Sequence, residues 1–153
     1  STKKRPAIPI IKEIIKNFGD EEIVVMGRYA TQVKHLKQIF GNKIRILNKV
    51  VDGKILLRNA DVFIGSGGTM TAESALSSVP TISYNAVPNI IENYLVRKKL
   101  IIRERNPKRI VISIKKLLDL SNSEIKIKSK NMLHSMEDPY PILIETINSV
   151  LKH

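Results

Sequence analysis

The sequence predicts an α/β fold in which helices cover both faces of an open parallel sheet. Short runs of β-branched and aromatic residues alternate along the chain with amphipathic segments at helical spacing, a pattern typical of parallel strands joined by crossover helices. One stretch, residues 60–84, contains a complete strand, glycine turn, helix and strand in succession. Such a βαβ unit is the building block of parallel sheets.

The βαβ unit also indicates where its elements begin and end. Val62 to Ile64 form a short apolar run typical of a buried strand. Gly65 to Gly68 cannot extend that strand, because glycine is too flexible to stabilise it and readily adopts positive φ. A helix is predicted from Thr69 and is expected to stop before Pro80, after which Thr81 to Tyr84 form the next strand.

The remaining elements follow from the same periodicities. Helices are predicted over Pro6 to Phe18, Thr31 to Phe40, Lys54 to Asn59, Asn89 to Lys99, Pro107 to about Leu120, Ser121 or Ser123 to Met136, and Ile142 to Leu151. Strands are predicted over Glu22 to Met26, Lys43 to Leu47 and, as a short strand, Leu100 to Arg103. A Rossmann-like domain usually begins with a strand, so we expect residues 1–153 to form a single domain that lacks an upstream strand.

Composition limits the classes of function. The chain has 153 residues, of which 42% are hydrophobic and 26% charged, as expected for one globular domain. It has no cysteine, which excludes disulfides, thiolate nucleophiles and cysteine-based zinc sites. No apolar run is long enough to cross a bilayer and no signal peptide is recognisable, so we expect a cytoplasmic location.

The formal net charge of +12 is compatible with several partners. Nucleic acid, an anionic membrane surface and a phosphorylated ligand would all be attracted. The basic residues are scattered along helical segments and aromatic residues reach only 5%, which argues against base-stacking platforms and hence against nucleic acid. A lysine-rich solvated surface is the simplest interpretation, and a basic patch facing a membrane remains an open alternative.

The ligand site is predicted at one edge of the sheet, because open α/β sheets bind ligands beyond the carboxyl ends of their strands. At this edge the glycine turn presents backbone N–H groups at a helix N-terminus, where hydrogen bonds and the helix dipole can hold a phosphate. The alternative is a tight turn without a ligand. The loops expected at this edge are Gly27-Arg28, Asn48 to Asp52, Gly65 to Thr69 and Asn85 to Asn89.

Four side chains near this edge have a chemistry suited to a nucleotide. The hydroxyls of Ser66 and Thr69 suit either a pyrophosphate or helix capping. Arg28 can donate a forked pair of hydrogen bonds to a phosphate, or it is a solvated surface arginine. Glu73 lies about one helical turn from the anion site, where it can accept hydrogen bonds from a ribose hydroxyl pair. Its alternative role is to complement the helix dipole.

Candidate residues for the rest of a ligand are fewer. Asn85, Asn89 and Glu92 can hydrogen-bond a sugar, and turn-forming and capping roles are equally compatible with their positions. The sequence contains no metal-binding motif, no Ser-His-Asp arrangement and no evident acid/base pair, so no catalytic residue and no metal ligand is assigned. The sequence therefore predicts a binding site without a catalytic centre.

The motif residues resemble a family of enzymes. The pattern Ala60-Asp61, Gly65 to Thr69, Glu73 and Pro80 resembles the C-terminal, nucleotide-sugar-binding half of GT-B-fold enzymes. Its spacing is similar to that of the transferase that adds N-acetylglucosamine to the lipid-linked peptidoglycan precursor. The Ser-Gly-Gly run, and Asp138 to Tyr140 near the end, are similar to motifs of UDP-N-acetylglucosamine 2-epimerases. The segment from Asp52 to Ser83 most resembles a largely archaeal GT-B-like family of unassigned function.

The resemblance implies a specific ligand, UDP or a UDP-sugar, and no further cofactor. It implies that Ser66 to Gly68 meet the diphosphate, that Glu73 holds the ribose and that the backbone near Val50 and Val51 meets the uracil. The N-terminal GT-B half, which supplies the catalytic base and much of the acceptor site, would be a partner. A lipid-linked acceptor at a membrane is a further implied partner.

This chain alone is therefore expected to bind without turnover. A non-catalytic Rossmann-like binding or interaction module remains the alternative.

Overall fold

The computed structural model describes residues 6–27, 29–48, 53–85, 87, 89–120 and 140–145. Its helices are α1 (Ala7–Asn17), α2 (Ala30–Phe40), α3 (Gly53–Asn59), α4 (Thr69–Leu76), α5 (Ile90–Arg97) and α6 (Pro107–Leu120). Its strands are β1 (Ile23–Gly27), β2 (Arg45–Asn48), β3 (Ala60–Gly65), β4 (Thr81–Ser83), β5 (Ile101–Arg103) and β6 (Tyr140–Glu145). No helix among these residues has both the length and the hydropathy needed to cross a membrane.

The strands form one open parallel sheet, which confirms the predicted fold class. The six strands lie in the order β2-β1-β6-β3-β4-β5, and every neighbouring pair is parallel. At the carboxyl ends of the strands, Gly27 pairs with Asn48, Gly65 with Ser83, and Ser83 with Arg103. The loops that follow β1, β2, β3 and β4 therefore leave the sheet along one edge, as expected.

The sheet is buried on both faces. In β3, Val62 and Ile64 pack with α1, α2 and α6, whereas Phe63 between them packs with α3 on the opposite face. This alternation follows from the two-residue period of a strand. Because both faces are covered, the strand sequences are continuously apolar rather than alternating with polar residues.

A third, smaller core positions α4 and α5, the two helices that follow the carboxyl ends of β3 and β4. Ala75 of α4, Leu95 of α5 and Ile101 of β5 form a buried cluster. A hydrogen bond of 2.7 Å between the hydroxyls of Ser74 and Thr81 ties α4 to β4 beside this cluster. The N-termini of α4 and α5 are thereby held next to each other.

The end of the chain differs from the sequence prediction. A helix from Ile142 was expected, but Tyr140–Glu145 form β6 in the middle of the sheet, paired with both β1 and β3. Over residues 142–145 the helix prediction was wrong, because proline is rare in a central strand and Pro141 therefore indicated a break before a helix. The rest of that predicted helix lies outside the described residues. The hydrogen bonds that β6 forms with β1 and β3 outweigh the loss of the one backbone N–H donor that Pro141 lacks.

Two other helix predictions have different outcomes. The helix that starts at Thr69 ends at Leu76 and not immediately before Pro80, and Ser77 and Ser78 form a turn with φ of +64° at Ser78. The helix predicted from Ser121 or Ser123 to Met136 lies outside the described residues.

The position of β6 can be tested by its effect on stability. Ile144 is completely buried between β1 and β3, so Ile144→Ala should lower the free energy of unfolding by about 3 kcal/mol through lost burial and a cavity. Ile112→Ala on α6, where the isoleucine is exposed, should cost about 0.5 kcal/mol or less. Urea unfolding followed by circular dichroism measures both. Equal effects of the two substitutions would contradict the central position of β6.

Candidate functional site

The turn between β3 and α4 requires glycine at a specific position. Gly67 has φ of +92°, a conformation that other residues rarely adopt. A Cβ at Gly67 would also overlap the side chain of Asn85. Gly68 then has extended backbone angles and forms the N-cap of α4. The turn thus brings the chain from the end of β3 into α4 within a few residues.

Thr71 fixes the inside of this turn. Its side-chain oxygen accepts a hydrogen bond of 3.1 Å from the N–H of Gly67, and Thr71 is almost fully buried. A Cβ at Gly65 would overlap both the Thr71 hydroxyl and the Phe63 ring, so Gly65 allows this close approach. The N–H of Gly67 is therefore used within the protein.

The N-terminus of α4 has no side-chain cap. The first helical hydrogen bond runs from the N–H of Ala72 to the carbonyl of Gly68, over 3.3 Å. The N–H groups of Thr69, Met70 and Thr71 precede it and have no helical acceptor. By contrast, the Asn89 side chain caps α5 by accepting the N–H of Glu92 over 2.8 Å. Of these two adjacent helices, α5 therefore has a side-chain cap and α4 does not.

A cavity of about 770 Å³ lies between α4 and α5. This volume is in the range of small-molecule sites, which combine an apolar wall with a few polar groups. The polar lining residues belong to the glycine turn and the N-termini of both helices, and the apolar ones to α4, α5 and β5. The lining residues are Gly67, Gly68, Thr69, Thr71, Ala72, Asn89, Ile90, Ile91, Glu92, Leu95 and Ile101.

A buried ion pair supports the α5 side of the cavity. Glu92 is 3% exposed, and its Oε1 accepts a hydrogen bond from the Ser83 hydroxyl. Its Oε2 accepts two hydrogen bonds from Arg103, one of them from Nε over 2.8 Å. Arg103 also donates to the side-chain oxygen of Asn93 over 2.9 Å. This cluster joins β4, α5 and β5 and satisfies the carboxylate, which compensates for its burial.

The other two residues predicted to bind a sugar also have partners within the chain. The Asn85 side chain forms a turn in which it both accepts from and donates to the backbone of Val87. Asn89 caps α5, and its amide nitrogen lies 3.5 Å from the carbonyl of Gly67. The turn and capping roles are thus observed, and the role of these residues in sugar binding stays a prediction.

The structure brings together only part of the predicted site. Gly67, Gly68 and Thr69 line the cavity together with Asn89 and Glu92. Ser66 is buried in the turn, beside the cavity lining.

Glu73 is exposed and is the fifth residue of α4, so it lies beyond the first turn. The predicted contributions of Arg28, Val50 and Val51 fall outside the described residues.

Two residues of the site were not predicted from sequence. Thr71 was missed because its sequence position resembles that of any other small helical residue. The available signal was its spacing of four residues from Gly67, at which a side chain can accept a hydrogen bond from the earlier backbone N–H. Arg103 was missed because only four strand ends were considered. Its signal was its position at the carboxyl end of the short fifth strand, in register with Ser83.

No metal centre is formed by the part of the chain that the structure describes. Within residues 6–27, 29–48, 53–85, 87, 89–120 and 140–145, no group of three histidine, aspartate or glutamate side chains could hold a metal ion.

These features define the class of protein as a Rossmann-like α/β domain with a cavity near the carboxyl edge of its sheet. The chain belongs to a family described as proteins of unknown function, DUF354, which matches residues 2–152. It is 31% identical over 147 residues to the uncharacterized protein MJ0665 of Methanocaldococcus jannaschii. That match covers 95% of this chain but 39% of the length of the relative. No solved structure matches.

The buried ion pair leads to a prediction about stability. Glu92→Gln should lower the free energy of unfolding by about 2 kcal/mol, because charged hydrogen bonds to Arg103 are lost in a buried setting. Glu22→Gln is the matched control, because Glu22 pairs with Arg45 at the surface and should cost less than about 1 kcal/mol. Thermal and urea unfolding measure both. A control that is as destabilising as Glu92→Gln would contradict the role of the buried cluster.

Proposed function

We propose that this chain is the donor-binding part of a UDP-sugar-dependent glycosyltransferase or UDP-N-acetylglucosamine 2-epimerase-like enzyme. The observation that supports this function is the uncapped N-terminus of α4, which follows a glycine turn and borders a cavity. Backbone N–H groups and the helix dipole at such a position favour a diphosphate. We propose UDP as the nucleotide because the sequence of the turn resembles nucleotide-sugar sites.

In this proposal the diphosphate binds to the backbone at the start of α4. Thr69 and Met70 supply N–H groups, and the exposed Thr69 hydroxyl is a further donor. The glycine turn holds these donors in place before the ligand arrives, because Thr71 binds the N–H of Gly67 from within. A site that is ordered in advance loses less conformational entropy on binding.

The nucleoside is proposed to lie along the outer side of α4. Glu73 and Thr69 are i and i+4 on this helix, so their side chains share one face, and both are exposed. A ribose attached to a diphosphate at Thr69 would be within reach of the Glu73 carboxylate. The loop after β2, with Val50 and Val51, would then meet the uracil, and Arg28 after β1 would meet a phosphate.

Catalysis in this proposal is shared with residues outside this chain. Backbone donors at the start of α4 would stabilise the negative charge on a departing UDP, which is the part of the reaction that fixed dipoles favour. The catalytic base and the acceptor site would come from a second GT-B half. The chain spans 39% of the curated relative it matches, so that relative has room for such a half.

The proposed diphosphate site can be tested by removing one backbone donor. Thr69→Pro deletes the N–H of Thr69 at the first helical position, where proline is tolerated, and the preceding Gly68 is already extended. UDP affinity measured by calorimetry should fall about tenfold, because a hydrogen bond to a charged group is lost. Thr69→Ala is the matched control, because it removes the Thr69 side chain beyond Cβ but keeps the backbone N–H.

Companion variants separate the contributions to UDP binding. Thr69→Ala reports the hydroxyl alone and should weaken UDP less than Thr69→Pro does. Glu73→Ala should weaken UDP but leave the affinity for inorganic diphosphate unchanged, because its partner is the ribose. The proposal fails if the wild-type chain does not bind UDP, or if Thr69→Pro binds UDP as tightly as Thr69→Ala does.

A further inference from the structure

Helix α5 exposes large apolar side chains beside the cavity. Ile90 is 86% exposed, Ile91 63% and Tyr94 50%, and Val87 just before the helix is 70% exposed. Buried residues of α5, Glu92 and Leu95, already contact the rest of the domain. The exposed residues lie outside this packed face of α5. A contiguous apolar patch of this kind usually marks a contact with another molecule.

The apolar residues continue into basic ones along the same helix. Ile90 and Tyr94 are i and i+4, and Arg97 and Lys98 follow one turn later. The ammonium of Lys98 lies 5.7 Å from the centre of the Tyr94 ring. We call Val87, Ile90, Ile91, Tyr94, Arg97 and Lys98 the α5 surface.

The end of α5 carries a cluster of positive charge. The exposed basic residues there are Arg97, Lys98 and Lys99. Glu92, on the same helix, is buried and paired with Arg103. It is therefore not available to compensate these exposed charges.

We propose that the α5 surface docks onto an anionic lipid bilayer. Ile90, Ile91 and Tyr94 would enter the interface between headgroups and acyl chains, and the basic residues that follow would meet the headgroup phosphates. Interfacial helices combine these two features, an apolar face that inserts and a basic region that is attracted to anionic lipid.

Other partners fit the α5 surface less well. The α5 surface contains no acidic residue, so a second copy meeting it across a two-fold axis would leave the basic residues of both copies without a charge partner in the shared interface. Nucleic acid would explain the basic residues but not two adjacent exposed isoleucines, because base recognition uses aromatic and polar groups. Anionic lipid accounts for both the apolar and the charged part.

Docking has a consequence that rests on the proposed function. Ile90 and Ile91 also line the cavity, so a bilayer in contact with them would lie at the border of the proposed donor site. An acceptor carried by a lipid would then be presented close to the bound UDP-sugar. The membrane contact itself does not require UDP, and the two proposals can fail separately.

Co-sedimentation of the 153-residue chain with phospholipid vesicles tests the docking. The chain should bind vesicles that contain phosphatidylglycerol and should bind pure phosphatidylcholine much more weakly. Ile90→Ser combined with Ile91→Ser should weaken the partition coefficient about tenfold, through lost apolar insertion. Arg97→Gln combined with Lys98→Gln should weaken it about fivefold for each charge removed.

Matched controls lie on helices that pack on the opposite face of the sheet. Ile39→Ser combined with Ile112→Ser changes two exposed isoleucines of α2 and α6, and Lys34→Gln combined with Lys37→Gln removes two exposed charges from α2. Both controls should bind vesicles like the wild type. The Arg97 and Lys98 variant should also retain wild-type UDP affinity, which separates this proposal from the donor site.

Several results would overturn the proposal. These are an absence of binding to anionic vesicles, binding that the isoleucine substitutions leave unchanged, and control variants that weaken binding equally. Self-association that Ile90→Ser abolishes in the absence of lipid would assign the surface to a second copy. Displacement of the vesicles by a single-stranded oligonucleotide at low molar excess would assign it to nucleic acid.

Discussion

The connection from β3 to α4 depends on one close approach, that of the Thr71 side chain to the glycine turn. Thr71 accepts the N–H of Gly67, and it can do so because Gly65 has no Cβ in the way. The positive φ of Gly67 and its contact with Asn85 complete the turn. Any larger residue at Gly65 or Gly67 would push the start of α4 away from the end of β3. The position of the helix N-terminus is thus a steric consequence of two missing Cβ atoms.

Helices α4 and α5 differ in how their N-termini are capped. Asn89 caps α5, and Glu92 is tied to Ser83 and Arg103, so α5 is complete without a ligand. Helix α4 has no side-chain cap and leaves its first N–H groups facing the edge. Side chains thus fix the α5 wall of the cavity, whereas the α4 wall presents backbone N–H groups, to which we propose that a diphosphate binds.

Sequence reasoning recovered the elements whose local signals agree with their tertiary setting. The βαβ unit was predicted because strand propensity, the glycine turn and helical spacing all point to the same structure, and α6 was bounded correctly from Pro107 to Leu120. The strand β6 was missed because Pro141 is unfavourable in a central strand when the sequence is considered alone. In the folded protein, pairing with β1 and β3 stabilises the strand despite this proline. Thr71 and Arg103 were missed because their roles depend on partners that only the folded turn and sheet bring near.

The most direct measurement of the central claim is a titration of the ¹⁵N-labelled chain with UDP, followed through its amide chemical shifts. If the diphosphate binds the uncapped N-terminus of α4, the largest saturable shifts will be those of Thr69 and Met70. The amides of buried residues on the opposite face, such as Ile110 in α6, should not move. Saturable shifts confined to elements away from α4, or no saturable shifts at all, would contradict the claim.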